Sequence, residues 1–526
     1  MQTPQMAPHR DTPLAVISLA IVAGSVIGLG LHAERSIAVA ERILYWSTHT
    51  LGTPVLVFGF LAILFVAWLA CSRYGSVRLG HEMPSYKTSS WIFMFVMSGL
   101  GSSTLYWGFL DWAYYYQTPG LNLQPESAEA LRHALAYSFF HSGLIAWALY
   151  AIGAVAMGYH YHVRKRPGLS LAAVVEAVTG FKASGPVGRL IDLLFMLCMF
   201  GALTISLVLT ALTFAKLLSI LTGWPDNFMM QLTIIVSVAM VFTLSSWLGM
   251  DSGMKRLSEM VCWGVVLLTL YVLLTGPTRF IINYSVESLG IMASQFVRMS
   301  LFTDPLGDGQ FSREWTAFYW LWWISYAPGV ALFVARVSRG RSIREVILAM
   351  VVGGASGMWF VYGVLESYSV HAFANQLIDV PQVLSRQGGE VAIGLLLQSL
   401  PAGSWVMAFY LLVMAIFLAA HMDAVGYAVT ATCTRQLREG QDPAPADRLF
   451  WCLMLTLVPL AMVFIKAPLN TMKTAVIVTA LPFSVVLALL LYGLIRWLRE
   501  DYGHLPAEQI AQTVPATAGL RNEPEH

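Results

Sequence analysis

The residues of greatest chemical interest are four aromatic side chains spaced along one short stretch. Trp315, Tyr319, Trp322 and Tyr326 follow one another at intervals of four, three and four residues. This spacing places them on one face of a helix, with Trp323 beside that face. The faces of indole and phenol rings attract cations, and each ring contributes about 0.5 to 2 kcal/mol when water is excluded. A methylated ammonium group has no N–H to donate, so hydrogen bonds cannot hold it but the faces of aromatic rings can. The stripe therefore predicts such a cation as the ligand.

An aromatic belt at a membrane surface is the alternative explanation of this stripe. Trp315 fits that explanation, but Trp322 and Trp323 lie about 10 Å further along the helix, since each residue advances it by about 1.5 Å. A second set of rings occurs earlier in the chain, at Trp107, Tyr114, Tyr115, Tyr116, Trp147 and Tyr150. A single buried ring is more often a packing residue than a ligand, so the prediction depends on the two sets converging.

The elements that position these rings are predicted to be membrane-spanning helices. Of the 526 residues, 57% are hydrophobic and 11% are charged, which is far from the balance of a water-soluble domain. A helix needs about 20 predominantly apolar residues to cross the hydrocarbon. We count twelve such stretches, beginning near residues 14, 51, 91, 135, 189, 229, 257, 315, 344, 402, 447 and 474. The predicted fold class is an all-α integral membrane protein with twelve transmembrane helices.

The distribution of charge predicts the orientation of the chain. Lys and Arg crowd alternate loops, in residues 73–87, 164–182, 255–256, 336–344 and 435–448. The positive-inside rule then places both termini in the cytoplasm. The membrane is expected to be a bacterial inner membrane. The first span has the full bilayer length and no cleavage-like site, so we expect it to be retained. The net charge of +2 does not indicate a nucleic-acid partner, and the five cysteines show no CxxC pattern, so no disulfide framework or metal site is predicted.

Two of the predicted spans contain helix-breaking residues. The third carries Gly99 and Gly101, and the eighth carries Pro328 and Gly329. Freed backbone groups at membrane depth are tolerated where they line a cavity, and interruptions five spans apart are expected of two repeats with a substrate site between them. Ordinary kinks are the alternative. We divide the chain into a cytoplasmic tail 1–12, two N-terminal helices 13–87, a first repeat 88–284, a periplasmic amphipathic helix and loop 285–314, a second repeat 315–500 and a cytoplasmic tail 501–526. The amphipathic helix is expected over 285–302, and residues 388–400 are expected to form a half-helix or a loop helix.

The stretch from Trp315 to Glu345 resembles the betaine/choline/carnitine transporter family. Its FYWLWW core and its ARVSRGRSIRE end are similar to the family signature. Residues 90–120, 136–141, 303–305 and 438–440 are most similar to the branch of L-carnitine/γ-butyrobetaine antiporters. The resemblance implies two extra N-terminal helices followed by a LeuT-like five-plus-five inverted repeat, alternating access and, usually, a homotrimer. A quaternary-ammonium substrate and the lipid bilayer are the expected partners, and no cofactor or catalytic residue is predicted.

Carried over residue by residue, the resemblance implies two overlapping groups of substrate contacts. The antiporter's contacts fall on Tyr114, Ser142, Trp322 and Trp323. The family's outer aromatic cage falls on Ser142, Trp147, Tyr150 and Trp323. We add Tyr326 as a substrate contact, with Trp315 and Tyr319 as accessory rings. Ser142 departs from the pattern, because relatives carry Trp at this position and one wall of the cage is missing here.

The resemblance also bears on ion coupling. Sodium-driven relatives coordinate the ion at positions that here are Ala420 and His421, and the sodium-independent antiporter fills that place with an Arg where this chain has Val261. Neither arrangement is present. We hypothesise that His421, paired with Asp423, supplies a titratable positive charge there; a neutral His421 bonded to a carbonyl has equal weight. Asp111, where relatives carry Glu, is expected to pack or gate helices and not to carry protons.

Several functions compete at this point. Sodium-independent exchange or facilitated transport is the leading interpretation, and proton-coupled uptake of choline or a betaine-like osmolyte is the alternative within transport. A membrane-embedded enzyme would use His141, His160 and His162, but the further ligands or catalytic groups that such enzymes need are not visible. An osmosensor would call for an extended charged tail, whereas residues 504–526 are weakly charged.

Overall fold

The computed structural model describes residues 9–80, 82–98, 103–165, 170–247, 251–435 and 443–510. Within these residues the chain forms twenty α-helices. The first ten are α1 Thr12–Leu31, α2 Ala33–Cys71, α3 Thr88–Ser98, α4 Thr104–Gln117, α5 Ala128–His141, α6 Leu144–Gly158, α7 Leu171–Thr179, α8 Pro186–Thr222, α9 Phe228–Trp247 and α10 Asp251–Thr275. The others are α11 Thr278–Ser300, α12 Phe318–Val337, α13 Ile343–Leu348, α14 Ala355–Ala374, α15 Val380–Gln387, α16 Gly389–Gln398, α17 Gly403–Thr432, α18 Pro445–Phe464, α19 Leu469–Tyr502 and α20 Ala507–Ile510.

Shorter elements connect or extend these helices. In the described part of the chain, three π-helical segments are Tyr159–Val163, Ser312–Ala317 and Ala349–Gly354. A 3-10 turn covers Arg73–Ser76. Two short strands, β1 His9–Arg10 and β2 Thr434–Arg435, pair antiparallel. The pairing ties the beginning of the described chain to the end of α17.

Nine helical segments of the described chain are long and apolar enough to cross a membrane, and the bent pair α10 and α11 supplies a tenth. These account for ten of the twelve apolar stretches in the sequence. In the stretch that begins near residue 91, α3 and α4 lie on either side of residues 99–102, and the stretch near residue 229 forms α9. The protein is therefore an all-helical, multi-pass membrane protein.

Helices α10 and α11 meet at a sharp bend. The segments Glu259–Thr275 and Thr278–Ser300 are inclined by 112°, because Gly276 and Pro277 separate them and a residue before proline disfavours the helical conformation. Helix α11 then crosses α5 and α14: Tyr284 donates to the Leu131 carbonyl, and Ser285 Oγ donates to the Gly363 carbonyl at 3.0 Å. The predicted helix over 285–302 thus exists and begins seven residues earlier, at Thr278.

The predicted interruption at Pro328 and Gly329 is wrong, because α12 runs through both residues as one helix. Proline fixes φ near the helical value and removes only one N–H, so close packing can keep the helix intact. Helix α12 lies against α6, α8 and α19. A Cβ added to Gly153 of α6 would lie 3.1 Å from the Ala331 Cβ. Such a close approach between small residues leaves α12 little room to kink.

An interruption is found instead at Ser142 and Gly143, between α5 and α6. Their backbone angles, φ −99° and ψ 3° for Ser142 and φ −98° and ψ −135° for Gly143, lie outside the helical region. A Cβ on Gly143 would come within 2.9 Å of the Trp359 indole nitrogen, so this position requires glycine. Gly99 and Gly101, the other predicted interruption, lie outside the described residues.

Candidate functional site

The structure buries the aromatic stripe inside the helical bundle. Trp315 is 4% exposed, Tyr319 1%, and Trp322 and Trp323 8% each. Trp315 belongs to the π-helical segment Ser312–Ala317, and such segments are frequent at functional sites. Since an interfacial belt residue faces lipid and water, the belt explanation does not hold for Trp315.

Part of the stripe meets α4 and forms a first group, which we call the Trp107 cluster: Trp107, Tyr114, Trp315, Tyr319 and Trp322. The ring centroid of Trp107 lies 5.8 Å from that of Tyr114, 6.2 Å from Trp315 and 6.1 Å from Trp322. The rings of Tyr114 and Trp315 are 5.2 Å apart. These are the separations of packed aromatic pairs. The structure thus brings Tyr114 and Trp322, two predicted substrate contacts, into one group.

A second group, the Trp323 cluster, lies between α12 and α6 and consists of Trp147, Tyr150 and Trp323. Tyr150 contacts both tryptophans edge to face, at 5.7 Å from Trp147 and 5.5 Å from Trp323. The Trp323 indole donates to the His141 carbonyl at 2.8 Å. That carbonyl is at the last residue of α5, directly before the interruption, so the broken helix fixes the orientation of the Trp323 ring.

Ser142 lies beside this second group and contributes no ring to it. The residue is 1% exposed, and its hydroxyl donates to the Ser138 carbonyl at 2.6 Å. Among the described residues, the indole N–H of Trp147 has no acceptor. A buried N–H without a partner is costly and is satisfied when a ligand or water supplies an acceptor. The Trp323 cluster therefore combines three ring faces with one free donor.

The Tyr326 side chain contacts α8 and α17. Its hydroxyl donates to the Ala202 carbonyl at 2.7 Å and lies 3.1 Å from Ser206 Oγ. Its ring lies 5.4 Å from the imidazole of His421. The last member of the stripe thus connects the aromatic face of α12 with the position predicted for ion coupling.

A buried polar network lies behind the Trp107 cluster. The Tyr319 hydroxyl donates to Asp111 Oδ2 at 2.7 Å, and the Tyr319 ring stacks on His141 at 4.8 Å with an interplanar angle of 10°. His141 Nδ1 is 3.0 Å from the Tyr115 hydroxyl, and its Nε2 is 3.1 Å from Thr316 Oγ1. The network joins α4, α5 and α12 through Asp111, His141 and Tyr319.

A lysine completes the first group. Lys473, in the first turns of α19, is 1% exposed. Its ammonium nitrogen lies 3.5 Å from the Trp315 ring centroid and 4.9 Å from that of Phe318, and donates to the Glu314 carbonyl at 3.0 Å. These are cation–π distances. The Trp107 cluster therefore already holds a cation that belongs to the protein.

A comparison with known protein families identifies the family of this chain. The model of the betaine/carnitine/choline family of transporters matches residues 13–503. The chain belongs to this family. Its members are transporters and not enzymes, so the membrane-enzyme alternative built on His141, His160 and His162 is wrong.

Individual relatives agree with this assignment. A carnitine transporter of Acinetobacter baumannii is 64% identical over 504 residues, which cover 96% of this chain and 92% of that protein. An uncharacterized transporter of Escherichia coli, YeaV, is 55% identical over 457 residues, 87% of this chain and 95% of that one. Among solved structures, a sodium-coupled sialic acid symporter and a manganese transporter of Eremococcus coleocola each reach a TM-score of 0.44 at 15% identity, covering 86% and 84% of both chains.

The residues expected to couple this transporter to an ion lie on α10 and α17. Val261 is a buried residue of α10, which packs against α17, and Ala420 and His421 are half-buried on α17. The expected partner of Asp423 needs correction. Arg448 of α18 donates to Asp423 Oδ1 at 2.6 Å, whereas residues two apart on a helix, as His421 and Asp423 are, do not face each other.

Three residues of the site were missed from the sequence. Lys473 stands next to a polar turn, so its local sequence gives no sign that it is buried. Glu366 of α14 is fully buried and accepts from Ser138 Oγ at 2.8 Å; a carboxylate inside an apolar span is the signal that could have revealed it. Gly354 lies against the Trp147 ring, so closely that any Cβ there would overlap it.

Proposed function

We propose that this transporter carries a quaternary-ammonium compound of the carnitine or betaine type by alternating access, through sodium-independent exchange or facilitated transport. The observation that supports it best is the Trp323 cluster. Its three rings are at most 8% exposed, and the Trp323 indole donates to the His141 carbonyl, directly before the interruption between α5 and α6. A trimethylammonium group needs ring faces and a site from which water is excluded, and this group of residues offers both.

The substrate class also agrees with the name of the Acinetobacter baumannii relative, a carnitine transporter. Carnitine and betaines carry a carboxylate in addition to the methylated ammonium. The free indole N–H of Trp147 and the Ser142 hydroxyl are neutral polar groups beside the Trp323 cluster, and they suit a zwitterion. We propose Tyr114, Ser142, Trp147, Tyr150, Trp322 and Trp323 as substrate contacts, with Tyr326 at the edge of the site and Trp315 and Tyr319 as accessory rings.

Sodium independence is supported by the side chains on α10 and α17. Ala420 has no side-chain oxygen, the imidazole of His421 is a poor ligand for sodium, and Val261 is apolar. Proton-coupled uptake of choline or a betaine-like osmolyte is the second candidate, because His421 is a titratable group that contacts the Tyr326 ring.

Transport by purified protein in liposomes tests these proposals. Liposomes preloaded with unlabelled L-carnitine should take up labelled L-carnitine at the same rate with sodium or with potassium outside. A sodium requirement would contradict the proposed sodium independence. Accumulation in empty liposomes under a pH gradient alone would favour proton-coupled uptake, and the absence of uptake of any quaternary-ammonium compound would contradict the proposed substrate class.

The finer architecture is also a proposal. We propose twelve spans, in which α3 and α4 together form one broken span and α9 forms a further, unbroken span. They are arranged as two N-terminal helices and a five-plus-five inverted repeat with the domain limits given above.

The resemblance alone supports a homotrimer. Crosslinking of the protein in native membranes should give a band of three subunits, and a monomeric band at saturating crosslinker would contradict the homotrimer.

Contacts between the Arg-rich segments support a common side for both termini. Arg10 of β1 forms an ion pair with Asp447, after β2, and Arg73 donates to the carbonyls of Gly503 and Leu505 near the end of α19. Leu79 donates to the Arg341 carbonyl at 2.8 Å, which links the loop after α2 to the loop after α12. We propose that this basic end faces the cytoplasm. A reporter that is active only in the cytoplasm should be active when fused to either terminus, and a reporter that is active only in the periplasm should be inactive there.

A further inference from the structure

Lys473 is a buried cation in an apolar bundle. A charged group away from water needs compensating partners. The structure provides one carbonyl, that of Glu314, and two ring faces, those of Trp315 and Phe318. The ring faces are the same kind of contact that a methylated ammonium ligand would use. Within the described residues, the protein thus fills the Trp315 face with its own ammonium group.

The position of this ammonium group is set by three helices. Lys473 reaches from α19 to the π-helical segment that carries Glu314 and Trp315. Trp315 in turn contacts Trp107 and Tyr114 of α4. The Trp315 ring therefore lies between the ammonium group and Tyr114. The Trp315 and Trp107 rings in turn connect the ammonium group to Trp322.

The charges around Lys473 decide how it affects a ligand. Asp111 and Glu314 are the carboxylates whose charge acts on Lys473. Asp111 is 1% exposed, and its Oδ2 accepts from Tyr319 of the same cluster. Lys473 itself already lies on the Trp315 face. A second cation placed on the neighbouring rings would be repelled by this ammonium group, because charge repulsion is strong at low dielectric.

From the position of this ammonium group on the Trp315 face we infer that Lys473 is a specificity-determining residue, which selects zwitterionic quaternary-ammonium compounds over purely cationic ones. A betaine or carnitine is neutral overall, and its carboxylate is attracted by the lysine while its methylated ammonium lies on other rings. Choline or tetramethylammonium is repelled by Lys473 and competes with it for the Trp315 face. The inference rests on the proposed function and narrows its substrate class.

Binding measurements on three variants test this inference. Lys473→Met removes the charge and keeps an apolar stem, and Lys473→Arg keeps the charge. Lys466→Met removes the same charge from the exposed turn before α19 and is the matched control. Each purified protein is titrated with glycine betaine, L-carnitine, choline and tetramethylammonium, and tryptophan fluorescence reports binding.

Wild-type protein, Lys473→Arg and Lys466→Met should bind the zwitterions at least about tenfold more tightly than the cations, because one desolvated charge contact has about that effect. Lys473→Met should lose this preference through tighter binding of choline and tetramethylammonium. An unchanged preference in Lys473→Met would overturn the inference. Should that variant fail to fold, Lys473→Gln replaces it with the same expected result.

Failure of the proposed function gives a different pattern. If wild-type protein binds none of the four compounds, the proposed substrate class is wrong. The lysine inference still predicts that Lys473→Met gains tetramethylammonium binding, since the ammonium that occupies the Trp315 face has been removed. Absence of that gain overturns the inference as well.

Discussion

The Tyr319 hydroxyl donates to the Asp111 carboxylate at 2.7 Å, and neither side chain is more than 1% exposed. This hydrogen bond joins α4 to α12, two helices that carry the predicted substrate contacts Tyr114 and Trp322. Since a buried carboxylate depends on its donors, the pair stabilises the contact between α4 and α12.

Tyr319→Phe removes the donor and keeps the ring. We expect it to lower the free energy of unfolding by about 1 to 3 kcal/mol, because the Asp111 carboxylate stays buried with one donor fewer. Thermal unfolding in detergent measures the effect. Tyr319→Phe combined with Asp111→Asn should lose less stability than the sum of the two single variants. Strictly additive losses would show that the two side chains do not interact.

Gly354→Ala tests the wall of the Trp323 cluster. The new Cβ would overlap the Trp147 ring, so the ring has to shift, and we expect L-carnitine binding to weaken by about tenfold while the protein still folds. Gly24→Ala is the matched control, because no atom lies within 4 Å of a Cβ built there. Isothermal titration calorimetry compares the two variants. Equal affinity in both would remove Trp147 from the site.

The ion pair between Asp423 and Arg448 lies outside the Trp107 and Trp323 clusters and predicts an effect on the stability of the fold. Both side chains are less than 9% exposed, and Arg448 also lies over the Tyr427 ring at 5.5 Å. Arg448→Met should lower the free energy of unfolding by about 3 to 5 kcal/mol, because it leaves Asp423 buried without this cation. The double variant Arg448→Met with Asp423→Leu should recover most of the loss. A double variant as unstable as the single one would contradict this account.

His421 predicts the pH dependence of transport. Its imidazole contacts the Tyr326 ring of α12, and imidazole is the side chain that changes charge between about pH 5 and 8. If its charge controls the movement of α17, exchange by the wild-type protein should vary over this range and exchange by His421→Ala should not. The neutral-histidine alternative gives both proteins the same profile, which the liposome exchange assay would reveal.

The helices and the aromatic stripe could be predicted because both follow from local patterns. Apolar stretches of membrane length predicted the spans, and spacings of three and four residues predicted that Trp315, Tyr319 and Trp322 share a face. The sequence does not say which neighbour each ring meets. Trp322 and Trp323 are adjacent, so they point about 100° apart on a helix, and only the positions of α4 and α6 decide that they belong to different groups.

The errors have a common physical cause. Proline was expected to break α12 at Pro328, but packing against α6 keeps the helix continuous. The interruption at Gly143 was overlooked because a single glycine in an apolar run has no distinctive pattern. The burial of Lys473 could not be predicted from its neighbours in the sequence, because it depends on the Trp315 and Phe318 rings, which are more than 150 positions away in the chain.

The most direct measurement of the central claim is L-carnitine binding to purified Trp323→Leu, followed by isothermal titration calorimetry. Trp405→Leu is the matched control, because Trp405 is 80% exposed and belongs to neither cluster. We predict that Trp323→Leu binds at least about tenfold more weakly than the wild-type protein, as expected for loss of a desolvated cation–π contact, and that Trp405→Leu binds normally. Wild-type affinity in Trp323→Leu would contradict the account.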